Sequence, residues 1–333
     1  MTKNDMHITG KNIGPEAYYD ILYRRINEDL ANAVSVEFPP NLYNPMRYAL
    51  AARGKRFRPI LLIMACESVG GTFQDAYNAS LAIEILHNFT LIHDDIMDDD
   101  KLRRGHATVH KKWNSNIAIL AGDGLIALAY RFLLRTKSRQ IKRIIKIFSE
   151  AIIVICEGQS IDKDMESVAS VSMNDYFDMI KRKTGVLVSI SAELGGILGK
   201  GSKKEIEALS KFGFELGIAY QIQDDLLDII SEEIIIGKDL GSDLAQGKKT
   251  FPIIAFAECA SKKDIQYLNE TFSNGNADLE SIRCVKKMLH DYGIVEKTQQ
   301  EVNKHIDKAN SYLHNTSHNH LLFLSEMIRN RKF

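Results

Sequence analysis

Apolar residues recur at three- and four-residue steps along almost the whole chain and rarely alternate one by one, which is the signature of amphipathic helices. After Pro15, Tyr19, Leu22, Ile26 and Leu30 mark one face of a helix that runs through Ala33, and Pro39-Pro40 ends it. A second helix is predicted from about Pro45 to Arg53, where Gly54 interrupts. Pro59 opens a third, because proline suits a first turn, and Gly70-Gly71 closes it. Long helices follow over Gln74–Asp99, Asn116–Arg135, Ser138–Gln159, Met173–Leu198 and Lys203–Ser231. Pro252–Ala260, Leu279–Tyr292, Ile294–Leu313 and a short terminal helix complete the pattern. Glu233–Ile236 is too short and isolated to found a sheet. Connections are short except Glu232–Thr250, rich in Gly and Lys, and no internal repeat or linker appears. The expectation is an all-α bundle of about ten or more helices, one domain over residues 1–333 with a polar tail at 1–14.

Composition narrows this reading without changing it. A chain of 333 residues could hold two domains by length alone, but no boundary is visible. Hydrophobic residues at 45% and charged ones at 26% describe an ordinary globular protein. Lys+Arg and Asp+Glu are both 43, so there is no basic surplus to point to nucleic acid. The four cysteines lie far apart without a Cys-x-x-Cys pair, which fits a reducing, cytoplasmic setting rather than a disulfide framework. Met1–Gly14 lacks the apolar core of a signal peptide. The most apolar run, Ile117–Leu134, contains Gly122-Asp123-Gly124 and Arg131. Those charges would be costly in lipid, so a buried helix is expected there and no transmembrane segment.

Two segments carry unusual acid density. Asp94-Asp95-Ile96-Met97-Asp98 and Asp224-Asp225-Leu226-Leu227-Asp228 share the spacing Asp-Asp-x-x-Asp within apolar, helical sequence. The pairs Asp94/Asp98 and Asp224/Asp228 are each four apart, and Gln221 continues the second stripe. Like charges at this spacing repel, so burying such a stripe calls for a compensating cation. Carboxylates on rigid helices suit Mg²⁺, which takes few protein ligands and completes its octahedron with water and phosphate oxygens. A single acidic run is usually a solvated helix face. Two copies flanked by Ile, Leu and Met are not explained that way. The glycine and carbonyl pattern of a calcium-binding EF-hand loop is absent from both.

Basic residues gather in short loops near these acids: Lys55, Arg56 and Arg58 before a predicted helix, Arg103-Arg104 after the first stripe, Lys183 where Lys183-Thr184-Gly185 interrupts another helix, and Lys238 and Lys248-Lys249 after the second. Cations and a helix N-terminus both favour anions, and arginine suits phosphate oxygens. No P-loop, His-Glu-x-x-His or Gly-x-Ser-x-Gly motif occurs.

In this order the motifs resemble those of the trans-isoprenyl diphosphate synthases, the polyprenyl synthase family. The resemblance runs from Gly54-Lys55-Arg56-Phe57-Arg58-Pro59 through His87, the first aspartate motif, Arg103-Arg104-Gly105 and Thr108-Val109-His110. It continues through Gly158-Gln159, Lys183-Thr184, Gln221 with the second aspartate motif, and the Gly237-to-Thr250 loop. It implies an isoprenoid-synthase-type bundle around a central cavity. It further implies a homodimer that condenses isopentenyl diphosphate with dimethylallyl, geranyl or farnesyl diphosphate, with three Mg²⁺ per site when substrate is bound.

The resemblance also distributes roles. Asp94, Asp98 and Asp224 become metal ligands, with Asp95 and Asp228 as further candidates, and Asp225 joins the catalytic acids. Arg103, Lys183, Thr184, Gln221, Lys238 and Lys248 surround the allylic diphosphate, while Lys55, Arg58, His87 and Arg104 bind isopentenyl diphosphate. The second Asp-Asp-x-x-Asp and the isopentenyl-site cations both argue against a terpene cyclase.

Product length is set, in similar synthases, five residues before the first aspartate. An aromatic there, Phe89 in this chain, goes with a twenty-carbon product, geranylgeranyl diphosphate, when the motif has no insertion. Bare helix geometry brings Thr90 and Leu86 closer to the Asp94 face, so all three are candidate lining. A farnesyl or longer-chain synthase, a non-catalytic subunit of a heteromeric synthase, and an acidic bundle without ligand are the alternatives.

Overall fold

In a computed structural model, placement is described for residues 13–168, 170–230, 247–272, 279–313 and 319–331. The helices are α1 (Pro15–Ala31), α2 (Pro40–Ala51), α3 (Phe57–Ser68), α4 (Phe73–Met97), α5 (Val109–Lys112), α6 (Ser115–Leu133), α7 (Ile141–Ser167) and α8 (Met173–Ile180). After a π-helical turn at Lys181–Gly185 come α9 (Val186–Leu198), α10 (Lys203–Ile230), α11 (Phe251–Cys259), α12 (Lys262–Phe272), α13 (Leu279–Asp291), α14 (Ile294–Ser311) and α15 (Asn319–Arg329). Leu102–Arg103 and His106–Ala107 pair as a two-residue antiparallel hairpin, β1 and β2. The all-α expectation holds.

The periodic positions are the buried ones. Tyr19, Leu22, Ile26 and Leu30 all turn inward on α1, with Tyr18 beside them. Thr72 caps α4 through a reciprocal bond with Asp75, which supports that helix end by about 1 kcal/mol. α4 is buried on more than one face, because α3, α6 and α9 all pack on it. α9 also lies along α3 and α10, and α10 packs on α14, so α3 and α9 tie the two acid-bearing helices together.

Several boundaries differ from expectation for identifiable reasons. α2 starts at Pro40 and contains Pro45: extended Pro39 places Pro40 in the first turn, so Pro45 is an interior residue, not an opener. α7 starts at Ile141 and runs on to Ser167. The span Met173–Leu198 is two α-helices, and the expected interruption at Lys183-Thr184-Gly185 is the π turn that joins them. α12 escapes a periodicity search because it buries only Leu268. α6 is buried on one face only: Ala118, Leu125 and Phe132 turn inward, while Ile119 and Leu120 remain 44% and 56% exposed. It is long and apolar enough to cross a membrane, with under half of its apolar window buried. The segments 1–12 and Glu233–Ile236 lie outside the described residues.

Arg56 resolves part of the basic loop. It is 2% exposed, caps α3 in the left-handed region, and pairs with Glu84 at 2.6 Å. Its remaining donors go to Asn27 Oδ1 and the carbonyls of Leu50 and Ala52. Every guanidinium nitrogen is therefore occupied, joining the start of α3 to α1, α2 and α4, and the loop presents Lys55 and Arg58 alone.

Candidate active site

Asp94 and Asp98 sit one turn apart at the C-terminal end of α4, and Asp224 and Asp228 one turn apart near the end of α10. Internal cations meet the first pair. Lys163 Nζ lies 3.2 Å from Asp98 Oδ1 and Lys248 Nζ 3.1 Å from Asp98 Oδ2. Burial alone would raise the Asp98 carboxyl, but Lys248, Lys183 and Lys163 hold it below the usual range. Asp94 moves the other way: burial, with the Asp98 charge, pushes it up despite the attraction of Lys183. Lys183 bonds Asp162 at 2.6 Å. Asp224 pairs with Arg331, whose guanidinium also lies 4.7 Å from the Tyr220 ring centre.

Two of the six aspartates are spent on the scaffold. Asp95 is buried and pairs with Arg103, which also reaches Asp100 at 3.1 Å. Burial pushes Asp95 up to about 6 even with that partner. Asp225 is buried and accepts from Tyr176 Oη at 2.6 Å, Phe251 N at 3.1 Å and Gln221 Nε2 at 2.9 Å. It joins α8, α10 and α11 at the wall of the cleft.

Gln221 passes this constraint on. Its Oε1 accepts from Thr184 Oγ1 at 2.8 Å, so the Thr184 proton is committed and its oxygen lone pairs are what it can present. Thr184 stands in the π turn because an extra residue there bulges Lys183 and Thr184 out of the α-helical ladder. Gly158 permits the approach of α7 to that bulge: a Cβ at 158 would lie 2.3 Å from Lys183 N. Lys183, Gln221, Asp162, Tyr176, Met165 and Lys248 line one cleft.

A second group of cations lies beside it. Arg58 Nη1 is 3.3 Å from His87 Nε2, and Arg58 Nε is buried with no hydrogen-bond partner among the described residues. Burial and then Arg58, Arg104 and Arg103 keep the His87 pKa well below its ordinary value, so the ring is neutral. Arg104 lies against Gly54. Lys55 is exposed, yet crowding by the surrounding protein and the like charge of Arg331 lower its pKa to about 8, with Asp224 opposing. A buried arginine N–H without an acceptor and a neutral imidazole that can donate suit an added anion.

The metal question can be tested on the donors. Among the described residues no three acidic, His or Cys side chains close on one point. Paired carboxylates presently neutralised by lysines and an arginine fit a hard divalent cation that takes its remaining ligands from water and phosphate. Of the chain-length candidates, Leu86 is fully buried, Phe89 is 7% exposed, and Thr90 bonds back to His87 O at 2.9 Å. Lys238 lies outside the described residues.

Sequence reasoning missed Asp162, Lys163, Tyr176 and Arg331. Asp162 follows Gly158-Gln159 on one helix face, a signal that was available. The other three meet their acids only through tertiary contacts.

Comparison with known proteins gives a consistent result. Residues 39–289 match the family model described as polyprenyl synthetase. The chain is 36% identical over 299 residues to a short chain isoprenyl diphosphate synthase of Methanothermobacter thermautotrophicus, covering 89% of this chain and 90% of that one. It is 38% identical over 313 residues to a geranylgeranyl pyrophosphate synthase of Geoglobus acetivorans, covering 92% and 96%. The crystal structure of geranylgeranyl pyrophosphate synthetase from Pyrococcus horikoshii superposes with a TM-score of 0.87 at 36% identity, covering 94% of this chain and 99% of that one.

Proposed function

The chain belongs to the polyprenyl synthetase family, and we propose that it is a trans-prenyltransferase of the geranylgeranyl diphosphate synthase type. It joins isopentenyl diphosphate to allylic diphosphates of increasing length. The observation that carries the reading is the meeting of Lys183 and Lys248 with the acids of α4 in a cleft that Gln221 also lines. Both aspartate stripes are complete, which leaves a non-catalytic subunit without support. We propose one catalytic domain over residues 1–333, in a cytoplasmic setting in keeping with four unpaired cysteines.

Mg²⁺, three ions per site in this proposal, would neutralise charge on the departing diphosphate. Asp94, Asp98 and Asp224 would hold it, with Asp228 supporting, while Asp95, committed to Arg103, would act through that arginine. Lys183 and Lys248 exchange their present acid partners, Asp162 and Asp98, for phosphate oxygens, and Lys238 is proposed to join them there. Thr184, oriented by Gln221 and Asp225, offers oxygen lone pairs to the allylic cation as the C–O bond breaks. Lys55, Arg58, His87 and Arg104 hold isopentenyl diphosphate so that its double bond attacks the cation. The proton lost next goes to the released diphosphate. Incubation with isopentenyl diphosphate, Mg²⁺ and each of dimethylallyl, geranyl and farnesyl diphosphate tests this, and failure to extend any primer would overturn it.

The isopentenyl site has its own pH signature. Lys55 binds the diphosphate only while protonated, so the apparent KM for isopentenyl diphosphate rises as pH climbs through about 8. The rise approaches about tenfold per pH unit if that charge is required and less if solvent screening replaces it. Lys55→Arg flattens the profile, because arginine stays charged. A wild-type profile flat from pH 7 to about 9.5 removes Lys55 from the site.

The outer face of α6 supports a homodimer. Ile119 and Leu120 are exposed there, and Tyr130 stacks on Phe148 of α7, one helix turn or so from Ile153, which is 61% exposed. Apolar surface of this kind suits a second copy of the chain. Sedimentation should give twice the 37.6 kDa chain mass, and Leu120→Lys should shift it toward one; a wild-type monomer would refute the proposal.

A further inference from the structure

We propose that His93 is a positioning residue for product length, acting as the backstop that holds the Phe89 ring in place. The proposal rests on the reading of Phe89 as the channel floor, and the experiment below separates the two.

His93 lies one turn after Phe89 on α4. Its ring meets Phe89 at 4.6 Å between centres, with planes at 63°. On its other side it fills a slot in α6 that exists only because residue 122 is glycine. A Cβ on Gly122 would lie 2.3 Å from His93 Nε2 and 2.5 Å from Cδ2. At this level the gap between α4 and α6 is occupied by the imidazole, so Phe89 cannot swing toward α6.

The polar atom gains nothing from this position. Nε2 is buried without a hydrogen bond among the described residues, and its nearest acid, Asp123 Oδ1, is 4.0 Å away. A buried nitrogen left without a partner is costly, and an aliphatic side chain would avoid that cost. What histidine supplies is a flat, stiff ring thin enough for a glycine slot and broad enough to meet an aromatic edge-on. His93 acts through its contact with Phe89, so its effect is read in chain length rather than in turnover.

The test compares His93→Ala, His93→Phe, Gly122→Ala, the double variant His93→Ala/Gly122→Ala, and Phe89→Ala. Products made from farnesyl diphosphate and labelled isopentenyl diphosphate are resolved by length, and circular dichroism confirms folding. His93→Ala should lengthen the main product by at least one isoprene unit, because Phe89 can tilt into the vacated slot. His93→Phe should keep the parental length. Gly122→Ala should shorten it, since the displaced imidazole presses Phe89 toward the channel. The double variant should return part of the way, as the new methyl refills the slot. If Phe89→Ala lengthens products while His93→Ala and Gly122→Ala leave them unchanged, His93 has no such role. If Phe89→Ala itself changes nothing, the floor assignment fails and this proposal falls with it.

Discussion

Asp94→Asn or Asp224→Asn is expected to lower kcat by about 10³-fold or more, because in the proposed assignment each removes one charged metal contact from a step whose barrier is mostly electrostatic. Asparagine keeps the size of the side chain and one oxygen, so packing on α4 or α10 is little disturbed. Removing Asp224 leaves Arg331 without its carboxylate partner, whereas Lys183 keeps Asp162 when Asp94 is lost. The loss should appear in kcat more than in KM, since charge builds on the diphosphate mainly as it departs. Chelation should abolish turnover and Mg²⁺ should restore it; full activity in excess chelator would sink the metal assignment. Asp225→Asn supplies the contrast. It leaves buried donors from Tyr176 and Phe251 poorly matched and costs about 1–3 kcal/mol of stability, read as a lower Tm.

This contrast marks where the sequence stops being informative. Asp-Asp-x-x-Asp announces two acidic stripes, and helix periodicity places them on helix faces. It does not say that Asp94 and Asp98 meet lysines of the cleft while Asp95 and Asp225 are tied into the scaffold. That division depends on Tyr176, Arg103 and the backbone of Phe251, and two of these reach Asp225 from 49 and 26 residues away. Lys163 and Arg331 were invisible for the same reason: each is an ordinary surface charge until the fold carries it to Asp98 or Asp224. Arg56 shows the converse. In a run of three cations it resembles its neighbours, and only the carboxylate of Glu84 turns it inward. The interruption at Lys183-Thr184-Gly185 is legible from glycine within an apolar helix, but its π geometry follows from packing against Gly158. Elements with a deep apolar face, such as α4 and α10, were recovered nearly to their ends. α12 was lost because its single buried apolar side chain leaves almost no periodic signal.

Phe89→Ala should convert the main product from twenty carbons to longer chains. In the proposed reading the growing chain starts at the acids of α4 and runs along that helix, and at about 1.5 Å of rise per residue Phe89 lies about 7.5 Å below Asp94. Leu86 and Thr90 are nearer the Asp94 face on an ideal wheel, but the structure gives them other work. Leu86 has no exposed surface, and the Thr90 hydroxyl is turned back onto its own helix. Phe89 keeps a small exposed surface and is the only one of the three with a ring. Truncating it removes a wall rather than a contact to substrate, so kcat for the first condensation should change little while later condensations become possible. The competing explanation is that Phe89 is only a core residue. In that case Phe→Ala costs about 3–5 kcal/mol and leaves the product distribution as it was. Measuring Tm and product length on the same preparation separates the two: a large drop in Tm with unchanged products assigns Phe89 to the core, and longer products from a folded enzyme assign it to the floor.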